Sequence, residues 1–260
     1  MKVSIVMPAY NEEKRIGPTL KSYSRYFESI RKLKHIDYEI IVVINNTNDN
    51  TIGVVKTYQN NNQRIWYLNL LNGGKGYAII EGFREALKGK SQMIGFVDAD
   101  GSTSPKAFYK LIESINGVDG VIASRYLKGA IVEPAPKFRR IFFSRVYNFI
   151  IKLLFFINYQ DTQCGAKLFR KKALQKAIPN IRTFQWAFDI DLIYKLRRRN
   201  FRIKEIPTIW EDKRGSKLNV IKVPFQMFSS IIRLRLIYSP FNFIVRFYNK
   251  LPEKIRIHNW

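Results

Sequence analysis

Five short apolar runs, at residues 3–7, 39–44, 65–70, 93–97 and 120–123, punctuate the first half of this 260-residue chain without sustained apolar-polar alternation. Amphipathic stretches of helix length separate them. A strand that lacks alternation is buried on both faces, and strands spaced by helices form a parallel sheet covered on both sides, the doubly wound α/β class. In that class ligands bind in the crevice at the carboxyl ends of the strands. The sequence places its polar residues accordingly: Pro8-Ala9-Tyr10-Asn11-Glu12 after the first run, Asn45-Asn46-Thr47-Asn48-Asp49 after the second, Asn72-Gly73-Gly74-Lys75-Gly76 after the third, Asp98-Ala99-Asp100-Gly101 after the fourth. Four clusters of this kind are expected to converge on one crevice.

Asp98 and Asp100, two residues apart at the end of a buried run, present two carboxylates to one side of the chain. Such a pair suits a hard divalent cation, Mg²⁺ or Mn²⁺, which keeps coordination sites for diphosphate oxygens and neutralises charge on a departing nucleotide. An Asp-x-Asp alone is also an ordinary capping turn ahead of Pro105. The glycine-rich stretch with Lys75, where a helix begins, suits phosphate. A P-loop is excluded because G-x-x-x-x-G-K-[ST] is absent, and a dinucleotide fold because no G-x-G-x-x-G follows the first run.

The charge is uneven. Residues 1–130 hold 18 Lys/Arg against 12 Asp/Glu, and residues 131–260 hold 27 against 8, within a formal total of +25. Fields of this size attract nucleic acid, acidic lipid surfaces or phosphorylated substrates. No nucleic-acid module is recognised, so nucleic acid is not an expected partner. Residues 141–159 and 220–248 are apolar but interrupted by Arg145 and Lys152, and by Lys222, Arg233, Arg235 and Arg246. Neither supplies the roughly 20 apolar residues of a spanning helix. Apolar helices carrying basic residues suit a membrane interface with anionic headgroups; packing on the sheet is the alternative, and the two can coexist. The single Cys164 excludes an internal disulfide and points to a reducing, cytosol-facing compartment. His35 and His258 lack zinc-ligand partners, and with the first run starting at Val3 no signal peptide or N-terminal anchor is expected.

The order of motifs resembles family 2 glycosyltransferases, which have the GT-A fold and invert at the anomeric carbon. Within that family it is most similar to the branch acting on polyprenyl phosphates, dolichyl-phosphate β-glucosyltransferases first and dolichyl-phosphate mannose synthases next. The segments carrying the resemblance are Met7 to Glu12, Asn72 to Gly76, Asp98 to Gly101, Ser124-Arg125-Tyr126, Asp161-Thr162-Gln163-Cys164-Gly165, Trp186-Ala187-Phe188-Asp189 and Gly215-Ser216-Lys217. The resemblance implies a nucleotide-sugar donor, UDP-glucose first, held by Pro8, Tyr10, Glu12, Asn45, Asp49, Lys75 and Asp98, with metal at Asp98 and Asp100. It implies a polyprenyl or dolichyl phosphate acceptor gripped by Arg125, Arg140 and Ser144, with the loop carrying Arg214, Ser216 and Lys217 closing over both phosphates. The Arg140–Ser144 spacing puts both on one helix face.

Asp100, Asp161 and Asp189 are the acids expected to take part in the chemistry, with Asp161 toward the acceptor and Asp189 toward the sugar. Pairing of either to an arginine as scaffold is the alternative. Asn45 stands where the family has an acid for the uracil N3 proton, which loosens the expectation of a uridine donor. Ser102 replaces a glutamine of the mannose synthases. GDP-mannose or UDP-N-acetylglucosamine as donor, a non-lipid acceptor, a sugar nucleotidyltransferase and a non-catalytic basic binding protein are the competing readings. The expected organisation is a catalytic domain at 1–218, including an interfacial helix near 138–158, and membrane-associating helices at 219–260, on the cytoplasmic face of a membrane.

Overall fold

The computed structural model describes residues 1–135, 138–181, 183, 186–213 and 222–250. The first half is a regular alternation: β1 (Lys2–Ala9), α1 (Glu13–Lys34), β2 (Asp37–Asn45), α2 (Thr51–Asn61), β3 (Ile65–Leu70), α3 (Lys75–Lys88), β4 (Met93–Val97), α4 (Pro105–Glu113) and β5 (Gly120–Ser124). After it come β6 (Ile131–Glu133), α5 (Phe138–Phe155), β7 (Ala166–Arg170), α6 (Lys171–Ala177), α7 (Phe188–Arg198), β8 (Ile203–Pro207), β9 (Ile209–Glu211), α8 (Lys222–Ile237) and α9 (Asn242–Lys250).

Seven strands form one sheet in the order β3-β2-β1-β4-β7-β5-β8. All neighbours are parallel except β7, which runs antiparallel between β4 and β5. The absence of alternation in the apolar runs has the expected cause. Along β1, Val3, Ile5, Met7 and Ala9 enter the core on one face while Val6 enters the core on the other. Along β2, Ile40, Val42 and Ile44 face one way and Ile41 and Val43 the other. Both faces are buried, so apolar residues occupy both. The result is a mixed α/β fold with a mostly parallel sheet.

Helix α3 lies unusually close to the sheet. A Cβ at Gly82 would come within 2.4 Å of Val6 Cγ1 and 2.9 Å of Val43 Cγ2, so only glycine lets the helix seat there. That seating brings Lys75, the first residue of α3, to the carboxyl ends of the strands.

Helix α5 buries Tyr147, Asn148, Ile151 and Phe155, a spacing that keeps one side inward. Asn148 fastens that side: its Oδ1 accepts hydrogen bonds from the Thr162 amide at 3.1 Å and hydroxyl at 3.0 Å. The outward side is also apolar, with Phe142, Phe149 and Leu153 exposed. Among the described residues no helix is long and apolar enough to cross a membrane.

Candidate active site

The parallel strands β1, β2, β3 and β4 deliver four loops to one end of the sheet, and the first two loops are stitched together. The Asn48 amide donates to Asn11 Oδ1 (2.9 Å), the Asn11 amide to Thr47 Oγ1 (3.2 Å) and the Glu12 amide to Thr51 Oγ1 (2.9 Å). Asp49 completes the seam: Oδ2 accepts the Glu13 amide at 3.1 Å, and Oδ1 accepts the Thr51 amide at 3.0 Å and hydroxyl at 2.5 Å. Burial works against the Asp49 charge, but these donors outweigh it and hold its pKa below the usual range. Asp49 therefore fixes the loop shape. Pro8 is buried beside this seam and Tyr10 stands out from it, 52% exposed.

Asn45 is buried at the end of β2. With its amide oriented to satisfy both ends, Nδ2 donates to the Ala9 carbonyl at 3.0 Å and Oδ1 accepts the Gly74 amide at 3.1 Å. A carboxylate has no hydrogen to give Ala9, which is a physical reason for asparagine at this position. The amide ties the end of β1 to the glycine turn that leads into α3.

Beyond β4, the Lys75 ammonium lies 2.5 Å from Asp98 Oδ1. Partial desolvation opposes the Lys75 charge, yet Asp98, then Asp189 and Asp100, raise its pKa. Asp100 Oδ1 accepts the Ser102 amide at 2.9 Å, a local turn that leaves Oδ2 without a hydrogen-bond partner among the described residues. The Asp98 amide donates to the Gly165 carbonyl at 3.0 Å, and its carboxylate fills the space beside Gly165: a Cβ there would lie 2.0 Å from Asp98 Oδ2. The glycine of the Asp161–Gly165 segment is thus a cradle for Asp98.

Glu12 joins the same field. Burial chiefly, with contributions from Asp100 and Asp98, pushes its carboxyl up to about 7 although Arg15 pulls it down. Among the described residues no three of His, Cys, Asp and Glu form a metal-ligand set. Two carboxylates plus substrate oxygens and water are what Mg²⁺ or Mn²⁺ accepts, so the donor set at Asp98 and Asp100 fits such an ion.

The second half of the site is built from charge pairs. Asp161, fully buried, holds Arg125 in a fork: Nε to Oδ2 at 2.7 Å and Nη2 to Oδ1 at 3.0 Å, with the Arg125 amide also on Oδ2 at 3.0 Å. Burial opposes both charges, but the pairing lowers the Asp161 pKa and raises that of Arg125. Asp189 receives Lys167 Nζ at 2.7 Å, and that ammonium also donates to the Cys164 carbonyl at 2.7 Å. Both acids are paired to cations, one of them a lysine where only arginine was considered.

Arg125 sits 5.4 Å from the Trp210 ring centroid and 5.5 Å from that of Tyr126, and Arg145 lies over the Tyr126 ring at 4.5 Å. The two halves are joined, since Thr103 bridges to Trp210 and the Glu211 amide donates to the Ser102 carbonyl at 2.8 Å.

Lys167, Arg145 and Trp210 were missed from sequence. Lys167 had a signal: a lone lysine inside a buried strand must have a partner. Arg140 and Ser144 both fall on α5, one turn apart. Arg214, Ser216 and Lys217 lie outside the described residues. Cys164 is buried, and burial pushes its thiol up to about 12, which disfavours the thiolate.

The glycosyl transferase family 2 model matches residues 4–178. A dolichyl-phosphate β-glucosyltransferase of Trichomonas vaginalis is 33% identical over 248 residues, 91% of this chain and 73% of its own length. The human dolichyl-phosphate β-glucosyltransferase is 30% identical over 252 residues, 91% of this chain and 76% of its own. Among solved structures, glucosyl-3-phosphoglycerate synthase of Mycobacterium tuberculosis superposes with a TM-score of 0.66 at 14% identity, over 91% of this chain and 78% of that one, in a complex with Mn²⁺, UDP and phosphoglyceric acid. Other crystals of that synthase hold Mn²⁺ with UDP-glucose, or Mg²⁺ with UDP. A matched segment spanning most of the chain, carrying both the Asp98–Asp100 pair and the Arg125–Asp161 pair, is decisive, and this chain belongs to glycosyl transferase family 2.

Proposed function

We propose that this chain transfers glucose from UDP-glucose to a polyprenyl or dolichyl phosphate, with inversion, at the cytoplasmic face of a membrane. The observation that carries the reading is the joining of two phosphate-competent halves: Lys75, Asp98 and Asp100 on one side, the Arg125–Tyr126–Arg145 stack on the other, linked through Ser102–Glu211 and Thr103–Trp210. Relatives named for this reaction, at 30–33% identity over most of the chain, support it.

In the proposed mechanism the donor diphosphate lies against Lys75 and the carboxylates of Asp98 and Asp100. A divalent ion held there by Asp98 and Asp100 would neutralise the charge that develops on the leaving nucleotide. The acceptor is a phosphomonoester, largely dianionic at neutral pH, and its oxygen attacks the anomeric carbon directly from the face opposite the leaving group. No side chain has to remove a proton. That agrees with the pairing of both remaining acids: Asp161 is spent on Arg125 and Asp189 on Lys167. Asp161 holds Arg125 in place on the acceptor side, and Asp189, which reaches Lys75 electrostatically, borders the sugar. Inversion follows from a single displacement. Asp49 and Asn45 hold the nucleotide loop in shape, leaving Tyr10, exposed above it, as the surface for the base.

The exposed Phe142, Phe149 and Leu153 of α5 and Phe243 and Phe247 of α9, in a half of the chain with 27 Lys/Arg, support peripheral attachment to an anionic lipid surface. The test is a donor screen: UDP-glucose, UDP-N-acetylglucosamine, UDP-galactose and GDP-mannose, each with Mg²⁺ or Mn²⁺, with and without a short polyprenyl phosphate. UDP-glucose with the lipid phosphate is expected to give the highest kcat/KM. Preference for another donor, or turnover that ignores the lipid phosphate, would defeat the proposal.

A further inference from the structure

The charge balance around the acceptor side gives two of its described arginines, Arg125 and Arg145, different tasks. Arg125 has both its Nε and Nη2 on Asp161, and its side chain is only 16% exposed. As a pair these groups carry no net charge, so Arg125 brings geometry to an incoming anion and little attraction. Glu205, the neighbouring carboxylate, is turned to the backbone, accepting the Gln160 amide at 2.9 Å and the Asp161 amide at 2.7 Å. Arg145 differs. It is exposed, and among the described residues it has no carboxylate partner: Nη1 donates to Gln160 Oε1 at 3.4 Å, and the guanidinium stacks on Tyr126 at 4.5 Å. Tyr126 also flanks Arg125, so the unspent cation is held beside the spent one.

The position of Arg145 on its helix is the second observation. Phe142, Arg145, Phe149 and Leu153 follow the spacing i, i+3, i+7, i+11 and form one stripe on the outward side of α5. The three apolar members are 54%, 65% and 64% exposed. The opposite side of the helix is fixed to Thr162 through Asn148, so the stripe cannot roll into the core. A single cation inside an exposed apolar stripe is the chemical complement of an anionic head on an apolar chain.

We infer that Arg145 is a ligand of the acceptor's phosphomonoester, with the acceptor's apolar chain lying along Phe149 and Leu153, while Arg125 is a positioning residue. The inference rests on the lipid-phosphate reading above and names a residue that gives the acceptor its grip. A guanidinium steadied on an aromatic face is preorganised for two parallel hydrogen bonds to phosphate, which an ammonium does not reproduce.

The experiment is steady-state kinetics on the full chain with Arg145→Gln and Arg145→Lys, varying UDP-glucose and a short polyprenyl phosphate separately, with inorganic phosphate as a competing anion. Arg145→Gln is expected to raise the acceptor KM about tenfold and to weaken competition by inorganic phosphate by a similar factor. Arg145→Lys should recover part of both effects, with the donor KM and the melting temperature unchanged. A soluble phosphomonoester, glycerol phosphate, separates head from chain: Phe149→Ser should raise the KM of the prenyl phosphate and leave inhibition by glycerol phosphate as it was. An unchanged acceptor KM in Arg145→Gln would overturn the inference, as would a rise confined to the donor KM. If the wild-type chain itself transfers no glucose to the lipid phosphate, the parent reading fails, and this inference falls with it.

Discussion

Gly165→Ala is the smallest change that should disable the donor site without unfolding the protein. The added Cβ would stand 2.0 Å from Asp98 Oδ2, 2.4 Å from Asp98 Cγ and 3.0 Å from Oδ1, and no other side chain is among its nearest contacts. Gly165 has no left-handed backbone angle, so the conflict is with the carboxylate alone. Asp98 can yield because its side chain is 28% exposed. Leaving its rotamer costs about 0.5–1.5 kcal/mol, and the half-exposed ion pair with Lys75 contributes about 0–1 kcal/mol. The stability loss is therefore about 0.5–2.5 kcal/mol, a melting shift of a few degrees for a chain of this size. The functional loss is larger, since a displacement of about 1 Å in a group that handles the reacting phosphate costs on the order of 100-fold.

The assay is kcat/KM for UDP-glucose, with thermal melting as the control. In an Asp98→Ala background, where the clash has no partner, Gly165→Ala should cost nothing further. Activity of Gly165→Ala within threefold of wild type, with the fold intact, would refute the cradle argument. So would an equal loss in both backgrounds.

Three further predictions use other parts of the site. Lys167→Met leaves the Asp189 carboxylate without its buried cation and should destabilise the chain by about 3–5 kcal/mol; adding Asp189→Asn should return much of that stability without restoring kcat/KM, and a single mutant as stable as wild type would remove the pair from the account. Glu12, raised to about 7 mainly by burial, imposes a penalty on the metal-free fold that is absent below the unfolded carboxylate value of 4.5, grows as pH rises and is complete above about 7. Urea melts at pH 5 and pH 8 should show wild type losing on the order of 3 kcal/mol relative to Glu12→Gln, and parallel pH profiles would contradict this. Phe142→Ser with Phe149→Ser should weaken binding to anionic phospholipid vesicles about tenfold or more with the melting temperature unchanged, and undiminished binding would move the membrane contact elsewhere.

The parts legible in the sequence are those where one physical demand dominates. Burial of both sheet faces writes itself into unbroken apolar runs, so β1 to β5 stand where the pattern puts them, and polar residues just after parallel strands had one place to meet. Asp98, Asp100 and Lys75 are together for that reason. The parts that stayed hidden depend on partners brought from far along the chain. The antiparallel insertion of strand β7 between β4 and β5 has no local signature. The amide of Asn45 answers two backbone groups from different loops, which gives an apparent departure from the family pattern a local reason. Arg145, read as an interruption of an apolar stretch, takes its meaning from Tyr126 and from the neutralisation of Arg125 by Asp161.

The central claim is a single displacement between two phosphate sites, one for the donor and one for the acceptor. Its most direct test is the anomeric configuration of the product formed by the purified chain from UDP-glucose, Mg²⁺ or Mn²⁺ and a short polyprenyl phosphate, read by nuclear magnetic resonance. The account predicts a β-linked glucosyl phosphate, formed in proportion to the lipid phosphate and abolished by Asp100→Ala. An α-linked product, or β-linked product formed at full rate by Asp100→Ala, would contradict it.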